Sequence, residues 1–190
     1  MDEWTAPNPL KDVREFKISE SEMAYLTIEE IRTLLQECEN SRSKDLTTIM
    51  NICLATGARW SEAEGLKGNQ IRAGQIIYVK TKGKKNRAVP ITEKLQAELP
   101  LSRKAQLLFK PCYLAFRKAM QRAGIETPAG QLTHVLRHTF ASHFMMNGGN
   151  ILVLKRILGH TDIKVTMRYA HFAPDHLSEA LRLNLLSIMD

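Results

Sequence analysis

Leu132-Thr133-His134-Val135-Leu136-Arg137-His138-Thr139-Phe140-Ala141-Ser142-His143-Phe144, residues 132–144, reads as a helix with two unlike faces. Leu132, Leu136, Phe140 and Phe144 recur every fourth residue, an apolar stripe that should anchor the helix, and Gly148-Gly149 closes it. His134 and Arg137 lie three apart, so both project from one face and can reach the same anion, while His138 is turned away by ~100° from Arg137. The stripe predicts that the polar pair faces a cleft. Alone, an H-x-x-R pair fits a structural His beside a surface Arg; the flanking stretches supply the rest.

Downstream, Asn150 to Leu158 predicts a short helix stopped by Gly159, with His160 directly after the stop. Thr161 is placed to cap a following helix that carries Tyr169. Pro174 then separates a last amphipathic segment with Leu177, Leu181 and Leu185.

Upstream, Thr27 and Glu30 form a capping-box pattern ahead of Ile28, Ile31, Leu34, Leu35 and Cys38 on one helical face. A second helix from about Lys44 buries Leu46, Ile49, Met50, Cys53 and Leu54 and ends at Gly57, which leaves Arg59 just past a helix stop. Residues 76–80 and 87–91 are β-prone and flank Thr81-Lys82-Gly83-Lys84-Lys85-Asn86, a hairpin with a basic loop. Helices resume near Thr92 and from about Cys112 to Ala123. The expected fold class is therefore mainly α with a small antiparallel β-sheet. Residues 1–22, with Pro7, Pro9 and mixed charges, read as a linker or tether; 23–174 read as the folded domain, and 175–190 as a C-terminal tail.

At 190 residues with 44% hydrophobic side chains the chain can bury a core. No apolar run approaches the ~20 residues that span a bilayer, and the first nine residues are polar, so no membrane partner is expected and the chain reads as cytoplasmic. Cys38, Cys53 and Cys112 are odd in number and sit in apolar helical patterns, which predicts core thiols in place of disulfides or a zinc site. Lys and Arg exceed Asp and Glu by 27 to 20, a net +7 that favours a polyanionic partner.

The candidate chemistry is attack of a phenol on a phosphodiester. Arg59 and Arg137 each offer a planar, permanently charged fork for phosphate oxygens. Tyr169 is the nucleophile; with an ordinary pKa of about 10 it needs a base and a cationic setting, and His134 is the favoured base. His160 can donate to a non-bridging phosphate oxygen. A lysine of the hairpin loop can protonate the leaving sugar oxygen, and spacing alone leaves Lys80, Lys82, Lys84 and Lys85 all open for that role. The remaining basic residues of the hairpin, Arg87 included, are expected on DNA backbone phosphates. Neither a P-loop nor an evident two-metal carboxylate cluster is present, so neither cofactor nor metal is expected.

These stretches together resemble the catalytic domain of the tyrosine recombinases, the phage integrase family. ATGARWSEAEGL (residues 55–66) is similar to its first arginine box, TKGKKNRAVPI (81–91) to its lysine hairpin, LTHVLRHTFASHF to its H-x-x-R box and ILGHTDIKVTMRYAHF (157–172) to its His and Tyr box. The last two boxes are worded most like temperate-phage integrases of the Haemophilus phage type. The resemblance implies that Arg59, Lys82, His134, Arg137, His160 and Tyr169 take the six active-site roles, and that Glu62 supports the site from behind. It implies site-specific recombination of double-stranded DNA attachment sites, for phage integration or excision, through a 3′-phosphotyrosyl intermediate. It further implies a homo-oligomer on DNA in the bacterial host nucleoid, accessory DNA-bending proteins, and a tail that docks on a neighbouring protomer. A type IB topoisomerase-like relaxase and a non-catalytic DNA-binding regulator are the alternatives.

Overall fold

The computed structural model describes residues 23–79, 86–100 and 104–175. The chain runs through α1 (Ile28–Glu39), α2 (Leu46–Thr56) and α3 (Trp60–Glu64) into strands β1 (Ile71–Arg72), β2 (Gln75–Tyr78) and β3 (Arg87–Pro90). It then returns to helices: α4 (Glu93–Glu98), α5 (Tyr113–Arg122), α6 (Val135–Met146), α7 (Ile151–Leu158) and α8 (Lys164–Met167), with a last 3₁₀ turn at Ala170–Phe172. Mainly helical with one small antiparallel sheet, this is the expected class.

The Thr27 box and the two glycine stops lie where the sequence set them, and Asn150 adds a cap that was not expected. Thr27 accepts from the Glu30 N–H at 3.2 Å while the Glu30 carboxylate accepts from the Thr27 N–H at 2.7 Å, so two orphan donors of α1 are satisfied reciprocally. Asn150 Oδ1 accepts from Leu152 and Val153 N–H at the start of α7. α2 and α7 both end on a left-handed glycine, Gly57 at φ 63° and Gly159 at φ 68°. Gly57 is required twice over, because a Cβ there would lie 2.5 Å from the Phe140 ring and 2.7 Å from Leu158.

The sheet order is β1-β2-β3, with Tyr78 paired to Arg87 and Ile76 to Val89. The hairpin of β2 and β3 matches the sequence reading; β1 was hidden. Its two-residue connection, Ala73-Gly74, takes positive φ at both positions (47° and 72°), and an alanine gives no signal for that geometry.

One hydrophobic core joins α1, α2, α3, the sheet and α5 around Phe116, Leu34, Leu46, Ile49, Ile52 and Leu66. Cys38, Cys53 and Cys112 are buried free thiols, as expected. A second cluster holds Ala141, Met145, Leu154, Leu158 and Tyr169. Ahead of α1 the backbone is tied onto α6 through Leu26 N–H to Thr139 Oγ1 (2.9 Å) and a contact of His143 with the Leu26 carbonyl (2.8 Å).

One expectation is met in part and one fails. Of the expected stripe, Leu136 is in the core and Leu132, Phe140 and Phe144 are half-buried against core residues, but the fully buried face of α6 also includes Val135, Thr139, Ala141, Ser142 and Met145, with Arg137 among them. The Phe140 and Phe144 rings also line an open groove with Ile28, Ile31 and Leu54. Thr161 does not cap the helix before Tyr169: α8 is four residues long, its first free N–H (Lys164) is taken by Asp162 Oδ1, and Tyr169 sits past its end. A flat run from Asp162 to Arg168 lacks the apolar periodicity that would hold a longer helix.

Candidate active site

Arg137 is the hub. Its side chain is buried and donates to the Gly57 carbonyl at 2.7 Å and to the Leu158 carbonyl at 2.6 Å. Both acceptors lie at helix C-termini, where unpaired carbonyls and the helix dipole favour a cation. One guanidinium therefore pins the ends of α2 and α7 to α6. Burial first, then the charges of Arg59 and Arg87, pull its pKa down to about 10, which leaves it fully charged at neutral pH.

Arg137 Nη2 also lies 3.0 Å from His160 Nε2. Arginine only donates, so Nε2 carries the lone pair, and the ring proton sits on Nδ1, facing Thr166 Oγ1 at 2.9 Å. The backbone of His160 closes α7 through its N–H to the Lys155 carbonyl. Donation from His160 to a phosphate needs either protonation of this ring or a change of its partners.

Arg59 follows the Gly57 turn and is fixed by its neighbours. Trp60 is buried and stacked on Phe116 of α5, ring centroids 4.5 Å apart. The Arg59 N–H donates to Glu62 Oε2 at 2.9 Å, while its guanidinium, 40% exposed, makes only a 3.5 Å contact with Glu62 Oε1. Glu62 is instead gripped by Arg87, whose two terminal nitrogens donate to its two oxygens at 2.9 and 2.7 Å. Burial alone would raise the Glu62 pKa, but the Arg87 and Arg59 hydrogen bonds and charges prevail and hold it at about 2. Arg87 also lies over the Tyr78 ring at 4.3 Å, and Tyr78 Oη meets Thr56 Oγ1 at 2.8 Å. The sheet is thereby bolted to both ends of the turn that presents Arg59.

Arg87, expected on a DNA phosphate, is turned away from solvent. Its side chain is 5% exposed and committed to Glu62, because β3 turns it inward opposite Tyr78. The signal available was the alternation of β3, which buries Arg87 and Val89 and exposes Ala88 and Pro90. Lys80, Lys82, Lys84 and Lys85 lie outside the described residues.

Tyr169 is 3% exposed, its ring in the second core cluster. Burial raises its pKa, against the lowering charges of Arg137 and Arg168. Its hydroxyl lies 2.7 Å from Nδ1 of His138, the histidine that the helical wheel seemed to discard. His134, just ahead of the first turn of α6 and exposed, has its ring 6.0 Å from that of His138. Burial and the Arg59 and Arg137 charges lower the His134 pKa. For His138, burial and then His134, Arg168 and Arg137 press it down to about 4. Burial thus favours the neutral form of both partners, an imidazole beside a phenol. The signal missed in the sequence was the i, i+4 relation of His134 and His138, which sets both on one side of α6.

Arg137, Arg59, His134 and His160 are thus gathered around the ends of α2 and α7 and the start of α6, and the Arg137 charge acts to lower the pKa of the buried Tyr169 phenol. Among the described residues no group of three or more His, Cys, Asp or Glu is assembled, and no helix is long and apolar enough to cross a membrane.

A family model described as the phage integrase family matches residues 24–176. The chain belongs to the phage integrase family. Over 184 residues it is 62% identical to an integrase of Escherichia phage 186 and 59% identical to an integrase of Haemophilus phage HP1, covering 97% of this chain in each case. It spans about half the length of these curated relatives, 54% of each. The solved catalytic domain of bacteriophage HP1 integrase superposes with a TM-score of 0.83 at 60% identity, covering 87% of this chain and 98% of that one. Family membership thus coincides with the segment that carries both arginines, the two histidines and Tyr169.

Proposed function

We propose that this chain is the strand-transferring part of a tyrosine-type site-specific DNA recombinase that integrates or excises a phage genome. What supports the reading is that Arg137 grips both the Gly57 turn, two residues ahead of Arg59, and the end of α7 beside His160, in a chain of the phage integrase family whose next segment carries Tyr169. The Tyr169 oxygen attacks the scissile phosphorus and displaces the 5′-oxygen, so a 3′-phosphotyrosyl bond forms as the P–O5′ bond breaks. Arg59 and Arg137 carry the negative charge that builds on the non-bridging oxygens, with His160 beside them once its ring is turned or protonated. The phenol proton passes to His134 as base while the oxygen attacks, and Lys82 supplies a proton to the 5′-oxygen. In the second step the 5′-hydroxyl of a partner duplex attacks the phosphotyrosine and restores the phenol. The bond energy is stored in the covalent link, so the exchange needs no nucleotide cofactor.

The partners in this reading are double-stranded attachment sites in a bacterial cytoplasm, bound by several copies of the chain, with Lys80, Lys84 and Lys85 on backbone phosphates. Residues 23–174 form the catalytic unit, 1–22 tether it, and 175–190 dock on a neighbouring copy. Truncation at Pro174 should lower the oligomeric state in sedimentation; an unchanged state removes the docking role.

The test of the chemistry is incubation with nicked suicide duplexes selected by covalent capture from a library of random cores. A protein–DNA adduct on a denaturing gel is expected for the wild-type chain, and its loss with retained DNA binding for Tyr169→Phe. An adduct that survives Tyr169→Phe rejects the reading.

A further inference from the structure

We propose that His138 is the residue that positions the Tyr169 nucleophile, a role that rests on the recombinase reading above and adds a residue to its site. Nδ1 of His138 lies 2.7 Å from the Tyr169 hydroxyl, and the two ring centroids are 6.0 Å apart. The phenol ring itself is fixed by burial against Ala141, Met145, Leu154 and Leu158, so the hydroxyl is the one part of the side chain left to orient.

A buried, protonated phenol has one hydrogen to place, and His138 is the partner it finds. The phenol therefore donates, and Nδ1 of the neutral imidazole accepts. This fixes the direction of the oxygen's lone pairs before any substrate arrives. Burial holds the His138 ring neutral, which keeps Nδ1 available as an acceptor. His138 follows Arg137 in the chain, so one turn of α6 sets both the cation and the orienting acceptor. In this arrangement His138 aims the oxygen, and the proton departs when the phosphate enters.

Three substitutions separate aiming from filling space. His138→Ala removes the acceptor; His138→Asn returns a polar atom near the place of Nδ1; His138→Gln carries its polar atoms one bond further out. On the captured nicked duplex, single-turnover adduct formation should fall about 10- to 100-fold in His138→Ala while duplex affinity changes less than about twofold. His138→Asn should recover most of the rate and His138→Gln little of it. Equal losses in all three, or a wild-type or faster rate in His138→Ala, overturns the proposal.

A second measurement uses no DNA. With tyrosines labelled at Cζ by carbon-13, the Tyr169 resonance, assigned by its loss in Tyr169→Phe, should shift in His138→Ala and return toward wild type in His138→Asn. An unmoved resonance in His138→Ala also overturns it. Failure of the wild-type chain to form any adduct, or an adduct that persists in Tyr169→Phe, would instead sink the recombinase reading on which the role of His138 depends.

Discussion

Arg137 and Arg59 meet the Gly57 turn under opposite structural conditions. Arg137 is 3% exposed and spends its donors on two helix-terminal carbonyls and His160, whereas the Arg59 side chain is 40% exposed with a single long contact to Glu62. A buried cation with committed donors is a keystone of the fold as well as a charge in the site. A half-exposed cation braced through its backbone and its neighbour Trp60 is free to spend its side chain on a ligand. The division teaches that two residues with one catalytic assignment should separate cleanly when stability and chemistry are measured apart.

The largest expected effect is at the keystone. Arg137→Ala leaves the Gly57 and Leu158 carbonyls buried without their donor, at about 1–3 kcal/mol each, so thermal or urea unfolding should show a loss of about 4 kcal/mol. A stability loss below about 1 kcal/mol would break the contrast with Arg59.

Next comes the brace behind Arg59. Glu62→Ala strands Arg87 as a buried charge with its partner gone, which should cost about 3–5 kcal/mol in the same assay. Adduct formation should fall too, because the Arg59 N–H loses its acceptor. Arg87→Ala should destabilise similarly while leaving the salt dependence of DNA binding unchanged, since Arg87 faces Glu62 and not solvent. A reduced salt slope in Arg87→Ala would restore it to the DNA surface.

The same carboxylate sets an acid limit. The folded pKa of Glu62, about 2, lies below its ordinary 4.5, so its contribution is complete above pH 4.5 and disappears as pH falls toward 2. That contribution is roughly 3 kcal/mol, and Glu62→Gln should flatten the acid limb of a stability–pH curve by a similar amount. An acid limb unchanged by Glu62→Gln would assign the loss to other carboxylates.

The smallest stability effect belongs to Arg59. Arg59→Ala should alter unfolding by about 0.5 kcal/mol or less, as for other exposed ion pairs, yet lower adduct formation about 100-fold or more. Comparable stability losses for Arg59→Ala and Arg137→Ala would erase the distinction between them.

Local chemistry made much of this molecule legible. The Thr27–Glu30 box and the glycine stops at Gly57 and Gly159 are short-range signals, and each appears where it was read, whereas the Asn150 cap gave a signal that went unread. The turn ahead of Arg59 and the helix that carries Arg137 also lie where the sequence set them, but Tyr169 falls beyond the helix expected to carry it. What escaped depended on contacts between distant segments. The inward aim of Arg87 is fixed by Glu62, 25 positions away, and Tyr78 beneath it; the role of His138 is fixed by Tyr169, 31 positions on. Helical angle alone set His138 apart from Arg137, but Arg137 points to the ends of α2 and α7 while His138 meets the phenol from another side. The phenylalanine stripe was read only in part: the Phe140 ring does pack on Gly57, but the stripe gave no sign that Arg137, beside it, is buried and reaches the Gly57 carbonyl.

The most direct measurement is mass spectrometry of the adduct trapped on a nicked duplex, after digestion of both protein and DNA. The account predicts a nucleotide joined through its 3′-phosphate to the Tyr169 oxygen and absent in Arg59→Ala taken to the same time point. A nucleotide on any other side chain, or intact strands with no adduct at all from a folded wild-type chain that binds the duplex, would contradict it.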